Sequence, residues 1–203
     1  MPLRLVALCS LVALAAACDS SPLSPGQSAT PVGPTSPSTS SSFERSLASR
    51  TVQGREEVRV NMQDACDPTT FNAAIGPGTC TRNGGVQFDD FIATLTRLGF
   101  VGPWHFAPNN ANVPVGSTFV VTNTGGEVHT FTEVEDFGGG IVPSLNQLAR
   151  TPIVAPECTT LDGDDFVPPG GVYTEEAEET GHEKYQCCIH PWMRLEADVT
   201  ASR

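Results

Sequence analysis

Between Tyr185 and Arg194 the chain reads YQCCIHPWMR. Cys187, His190 and Met193 stand there as C-x-x-H-x-x-M, so a thiolate, an imidazole and a thioether fall within one short loop. Soft donors of this kind suit copper cycling between Cu(I) and Cu(II), and one Cys with two His and a weak axial Met is an electron-transfer geometry. Pro191 stiffens the loop against rearrangement when the metal charge changes. The second imidazole has to come from elsewhere. His129 lies in NTGGEVHTFTEV, directly after a Gly-Gly turn, and is the best placed by context. His105, between Trp104 and Phe106, reads as a packed structural histidine, and His182, after Gly181, as an exposed turn residue.

Other chemistries fit less well. A zinc site on Cys187, Cys188, His190 and a distant His leaves Met193 idle, and adjacent cysteines reach a tetrahedron poorly. A c-type haem needs C-x-x-C-H, which is absent. A binuclear copper centre needs two cysteines separated by three residues, and a multicopper oxidase needs several such domains and His-x-His pairs; neither pattern occurs. A purely structural role for the cysteines is the remaining alternative. Nucleophilic catalysis is disfavoured because the metal would consume the Cys187 thiolate, and four ligands leave no open position for substrate. The expectation is therefore a protein that is not an enzyme.

The elements that must position these residues are short strands. EEVRVNMQ alternates Val58, Val60 and Met62 with polar residues. VGPWHFAP, NVPVGSTFVVTNTGG and EVHTFTEV are β-rich, with turns at PVGS and NTGG, and GVYTEE, EKYQC and LEADVT add three more strands. Many short strands with turn signals predict an antiparallel β-sandwich. One amphipathic helix interrupts it: Phe88, Phe91, Ile92, Leu95 and Leu98 recur at helical spacing, and Gly99 ends it. DACDPTTFNAAIGPGTC reads as a loop closed by Cys66 and Cys80, and a long irregular region runs from about Glu135 to Pro169.

The two blocks HFAPNNANVPVGSTFVVTNTGGEVHTF and YQCCIHPWMR together resemble the cupredoxins, and the second block is similar to the short-loop amicyanin signature Y-x-C-x-x-H-P-x-M-R. Tyr185, Cys187, His190, Pro191, Met193 and Arg194 match that signature; Phe106, Pro108, Val113, Gly116, Asn123 and His129 match the upstream pattern. The resemblance covers about half of the chain. It implies an all-β fold, a Greek-key β-sandwich of cupredoxin type with one inserted amphipathic helix and a long loop insertion. It implies one copper held by His129, Cys187, His190 and Met193, with the exposed edge of His190 beside Pro191 and Trp192 as the electron-transfer rim. Asn123 and Thr130 become candidates for supporting the ligands. The helix-and-disulfide segment and the long span between His129 and Cys187 depart from small cupredoxins and bear on the partner more than on the metal.

That spacing selects Cys187 over Cys188, which stands only one residue from His190, and in a strand adjacent side chains point opposite ways. With Cys9, Cys18 and Cys187 set aside, Cys66, Cys80, Cys158 and Cys188 allow three pairings. Cys66–Cys80 is favoured as the local loop, which leaves Cys158–Cys188 to pin the second insertion beside the metal loop.

Seven cysteines suit an exported chain. The N-terminus carries Arg4 and then an apolar run from Leu5 to Ala17, too short for a membrane span and suited to a secretory signal. LAAAC, ending at Cys18, resembles the lipobox of bacterial lipoproteins, although Ala15 stands where the strongest lipoboxes carry Leu. It implies lipidation of Cys18 and a membrane anchor. Residues 19–42 are almost only Ser, Pro, Thr, Gly and Ala and cannot bury a core. The expected organisation is a signal peptide over 1–17, a lipid-anchored linker over 18–50 and a cupredoxin domain over 51–203. The expected location is a bacterial periplasm or cell surface. The net charge of −12, from 11 Lys+Arg against 23 Asp+Glu, repels phosphate backbones and excludes nucleic acid as a natural partner. It leaves room for a basic redox partner, a basic-patched cytochrome or oxidase, which EEAEETGHE could contact. Single-electron carriage between redox partners outside the cytoplasmic membrane is the expected function, with a copper chaperone or buffer as the alternative.

Overall fold

The computed structural model describes residues 56–202. The expected signal peptide and linker, with Cys9 and Cys18, lie outside the described residues. Among the described residues, eight strands form two four-stranded sheets. The first has the order β2-β1-β4-β6, from His105–Ala107, Glu57–Gln63, Thr118–Asn123 and Val172–Glu176. The second has the order β3-β8-β7-β5, from Asn110–Pro114, Arg194–Thr200, Gly181–Gln186 and Thr132–Glu133.

The β-sandwich with an inserted helix is the architecture that the sequence implies, but the sheets are mixed rather than purely antiparallel. β1 runs parallel to β4, with Glu57 opposite Thr118 and Met62 opposite Asn123. β3 runs parallel to β8. The strand runs in the sequence are right; their neighbours and directions depend on crossovers that short-range alternation does not encode.

Alternation explains how the strands pack. β4 buries Phe119, Val121 and Asn123, and β8 buries Leu195, Ala197 and Val199. Between the sheets, Phe131 stacks on Tyr185 at 4.5 Å and meets Phe119 at 5.9 Å and Phe106 at 5.2 Å. These four rings are at most 3% exposed, so they form the centre of the core.

The helix spans Phe88–Leu98 (α2), and Gly99 closes it at φ +81°, its N–H bonding the carbonyl of Leu95. Phe91 and Leu95 are buried, whereas Leu98 is 40% exposed and does not join the core stripe. Two further helices correct the expectation of a single one. α1, Pro68–Ala74, starts where Asp67 accepts the N–H of Thr70 and Pro68 takes the first position, a signal present in DPTT but masked by the loop-like context. α3, Pro143–Leu148, lies inside the long irregular region. Phe71 of α1 packs on Phe88, Phe91 and Trp104 at 5.3, 5.4 and 5.9 Å, so the first insertion has its own aromatic core.

Phe119→Ala should lower stability by about 3–5 kcal/mol, because the removed ring leaves a cavity between rigid sheets. A lower urea midpoint with an unchanged slope would show it.

Candidate metal centre

Cys187 follows directly on β7 and is fully buried; it is the one free cysteine among the described cysteines. Its Sγ lies 3.8 Å from Nδ1 of His129 and 3.9 Å from Nδ1 of His190. The three donor atoms lie within 4.8 Å of one another. Donors that each bind a metal at about 2.0–2.3 Å need mutual spacings of this order. The donor set therefore fits a soft or borderline metal ion. Met193 is fully buried in the same loop: its N–H donates to the carbonyl of His190 at 2.9 Å, and its carbonyl accepts from the N–H of Cys187 at 3.0 Å.

Two more backbone donors face the sulfur. Thr130 N–H lies 3.4 Å from Sγ and His190 N–H 3.5 Å. Burial opposes a charged thiol, but the hydrogen bonds and charges of His129 and His190 outweigh it and hold the Cys187 thiol well below its usual range. The surroundings thus favour the thiolate, the form that a metal takes.

Each imidazole has a carboxylate near its far nitrogen, and neither carboxylate was foreseen from the sequence. His129 Nε2–H donates to Asp64 Oδ2 at 3.0 Å, with both side chains at or below 1% exposure. The same oxygen accepts the N–H groups of Gly126 at 2.8 Å and Glu127 at 2.9 Å. Burial pushes the Asp64 carboxyl up, yet the His129 bond and these two N–H groups prevail and hold it at about 2. Burial likewise pushes His129 down, but Asp64 and Cys187 raise it to about 9 in the metal-free protein. On the other side, His190 Nε2 lies 3.7 Å from Glu127 Oε2, which also accepts from Trp104 Nε1 at 2.6 Å. Burial raises the carboxyl of Glu127 above its ordinary value. Carboxylate partners orient ligating histidines and leave Nδ1 free for the metal.

The Gly-Gly turn before His129 has a steric reason. A Cβ on Gly125 would collide with the Asp64 carboxylate, and one on Gly126 would lie 2.7 Å from Cys66 Sγ. Asn123 completes the turn: its Nδ2 donates to the carbonyls of Glu127 at 2.7 Å and Val167 at 2.8 Å, and its Oδ1 accepts from Gly125. Thr130 Oγ1 accepts the Cys188 N–H at 2.8 Å, tying the two ligand segments together.

The other four described cysteines form two disulfides, Cys66–Cys80 with Cα atoms 6.1 Å apart and Cys158–Cys188 at 5.4 Å. The second fastens the long insertion to the metal loop, where Ile141 N–H also bonds the Cys188 carbonyl at 2.7 Å. His105 is half-buried on β2, its Nδ1 near the Pro103 carbonyl, and His182 is exposed between Asp198 and Glu196. Neither joins the cluster.

The expected exposed edge of His190 is not found. His190 is 3% exposed and Pro191 is buried, because Glu127 and Trp192 lie against the imidazole and Trp104 holds Glu127. Of the expected rim only Trp192 reaches partial exposure. The sequence offered no sign that Glu127, two residues before His129, would fold over the other histidine.

The sequence matches no family model and no curated protein. Among solved structures the chain is similar to a purple cupredoxin from Nitrosopumilus maritimus, at 17% identity over 70% of this chain and 99% of that one, with a TM-score of 0.39. It is similar to oxidised plastocyanin from Dryopteris crassirhizoma at 14% identity over 70% and 100%, TM-score 0.36. A reduced amicyanin variant shares 23% identity over 45% of this chain and 70% of its own, TM-score 0.30.

Asp64→Ala leaves the donors of Gly126, Glu127 and His129 without their buried acceptor, and should cost about 3–5 kcal/mol of metal-free stability and about 10–100-fold in metal affinity. Because the folded Asp64 carboxyl sits at about 2, below its unfolded value of roughly 3.9, its stabilisation is present above about pH 4 and lost as pH falls through 2. Urea unfolding of the metal-free protein across that range should show the loss in wild type and not in Asp64→Ala.

Proposed function

We propose that the protein is a mononuclear type 1 copper protein of cupredoxin type that carries single electrons between redox partners outside the cytoplasmic membrane. The observation that carries this reading is the buried Cys187 thiolate between Nδ1 of His129 and Nδ1 of His190, with Met193 closing the same loop. When bound, copper would supply a one-electron Cu(I)/Cu(II) couple. The chain supplies the rest. Cys187 would give the strong thiolate bond, and the N–H groups of Thr130 and His190 lie against its sulfur. Asp64 orients His129, Glu127 stands behind Nε2 of His190, and the backbone bonds between Cys187, His190 and Met193 keep the loop closed.

Burial of every one of these ligands leaves no face for a substrate, which supports a carrier rather than an enzyme. It also weighs against a chaperone, which must present its metal to a recipient. Among the described residues no helix is long and apolar enough to cross a membrane. Membrane attachment in this reading comes from lipidated Cys18 and the 18–50 linker, at a periplasmic or cell-surface location.

Cu(II) added to the purified domain should give an intense thiolate-to-copper band that bleaches reversibly with reductant. Cys187→Ser should abolish the band, and the double variant Cys158→Ser, Cys188→Ser should retain most of it. Colourless binding of Cu(I) alone would point to the chaperone, and folded protein that retains no copper would end the copper reading.

A further inference from the structure

The burial of His190 moves the nearest surface to Trp192. Its ring meets the His190 imidazole edge-on at 5.5 Å and contacts Phe91 at 6.0 Å. On its outer side Trp192 lines a shallow cavity of about 300 Å³ with Gly99, Phe100, Ala149, Thr151 and Arg194. Beside it Phe100 is 49% exposed and Leu98 40%, both just past the buried stripe of α2. Here the first insertion, after covering His190, presents apolar side chains to solvent.

The charge around this depression opposes that of the whole chain. The described residues hold six lysines and arginines: Arg59, Arg82, Arg97, Arg150, Lys184 and Arg194. Three of the six stand here. Arg97 is exposed on the last turn of α2, Arg150 donates to the Arg97 carbonyl at 3.0 Å, and Arg194 lines the cavity, its guanidinium 4.6 Å over Phe137. No carboxylate lines the cavity; Glu196 approaches Arg194 from its other side. The glutamates gather elsewhere, around an open hollow lined by Glu133, Glu175, Glu178, Glu179 and Glu183. Glu183 is four residues from Cys187 along β7, about 13 Å at strand rise. A partner held on that acidic face is farther from the donor cluster than one held over Trp192.

We propose that the arginine-rimmed apolar depression over Trp192 is the docking surface for a redox protein whose own exposed redox centre is ringed by carboxylates. The proposal rests on the electron-carrier reading above and refines it. The basic partner suggested by the overall charge would be drawn instead to the acidic hollow, and preferential docking there competes with this proposal. The apolar centre and the charged rim have different roles. Phe100 and Trp192 exclude water at the contact, and Arg97 and Arg150 steer the acidic partner.

The test uses two probes of opposite charge, an acidic cytochrome of b5 type and the basic cytochrome c. Each is titrated at low salt into isotope-labelled Cu(I)-loaded protein and, in parallel, into metal-free protein, so the result is readable even if the copper reading fails, a failure visible beforehand as absence of the coloured Cu(II) form. The acidic probe should shift the signals of Leu98–Phe100, Arg150–Thr151 and the Trp192 indole. Its affinity should fall about tenfold or more in the double variant Arg97→Glu, Arg150→Glu and severalfold in Phe100→Ser, and should weaken as salt rises. All three positions are exposed, and unchanged thermal melting should show that both variants fold. Absence of shifts at Trp192 with the acidic probe, unchanged affinity in the variants, or preferred binding of basic cytochrome c at residues 175–183 would overturn the proposal.

Discussion

One oxygen of Asp64 accepts the N–H groups of Gly126 and Glu127 and the Nε2–H of His129, and the position of the first histidine depends on it. A carboxylate so buried is costly unless its lone pairs are filled by donors, and here three converge. The arrangement joins the end of β1 to the turn that follows β4. It requires the backbone of that turn to run against the carboxylate, which is why Gly125 stands where a side chain would collide with Asp64, while Gly126 is confined by Cys66 Sγ and the Arg82 backbone. The parallel pairing of β1 and β4 brings the two segments side by side. The fold and the ligand geometry are therefore coupled through a single charged group.

The second constraint is alternation at the end of β7. Cys187 points into the donor cluster while Cys188 points away and closes a disulfide with Cys158. Two chemically identical side chains thus take opposite roles through backbone geometry alone. The bond from Cys188 N–H to Thr130 Oγ1 links this strand end back to the segment that carries His129. The thiol, both imidazoles and the carboxylates behind them are thus tied to one another by hydrogen bonds and close ionic contacts across the two ligand segments.

The first insertion changes what the site can contact. Its aromatic cluster of Phe71, Phe88, Phe91 and Trp104 is anchored by the Cys66–Cys80 disulfide and carries the indole that holds Glu127 against His190. His190 is thereby covered, and Trp192 beside it is the ring that reaches partial exposure. The cost of enclosing Glu127 is reduced, but not cancelled, by its bond from Trp104 and its proximity to His190.

The ligand loop was legible because its chemistry is local: Cys187, His190 and Met193 lie within seven residues, and their types alone suggest a soft metal. The strands and α2 were legible because alternation and helical spacing are short-range patterns that burial imposes on sequence. His129 could be chosen from its turn context. Asp64 and Glu127 could not, since a carboxylate's role here depends on which nitrogen it faces 65 residues away or across the site. The parallel strand pairs, α3 and the burial of His190 were likewise decided only in three dimensions, whereas the start of α1 is written in DPTT. Sequence periodicity records that a residue is buried; which partner buries it is set by how distant segments cross, and that information exists only in the folded chain.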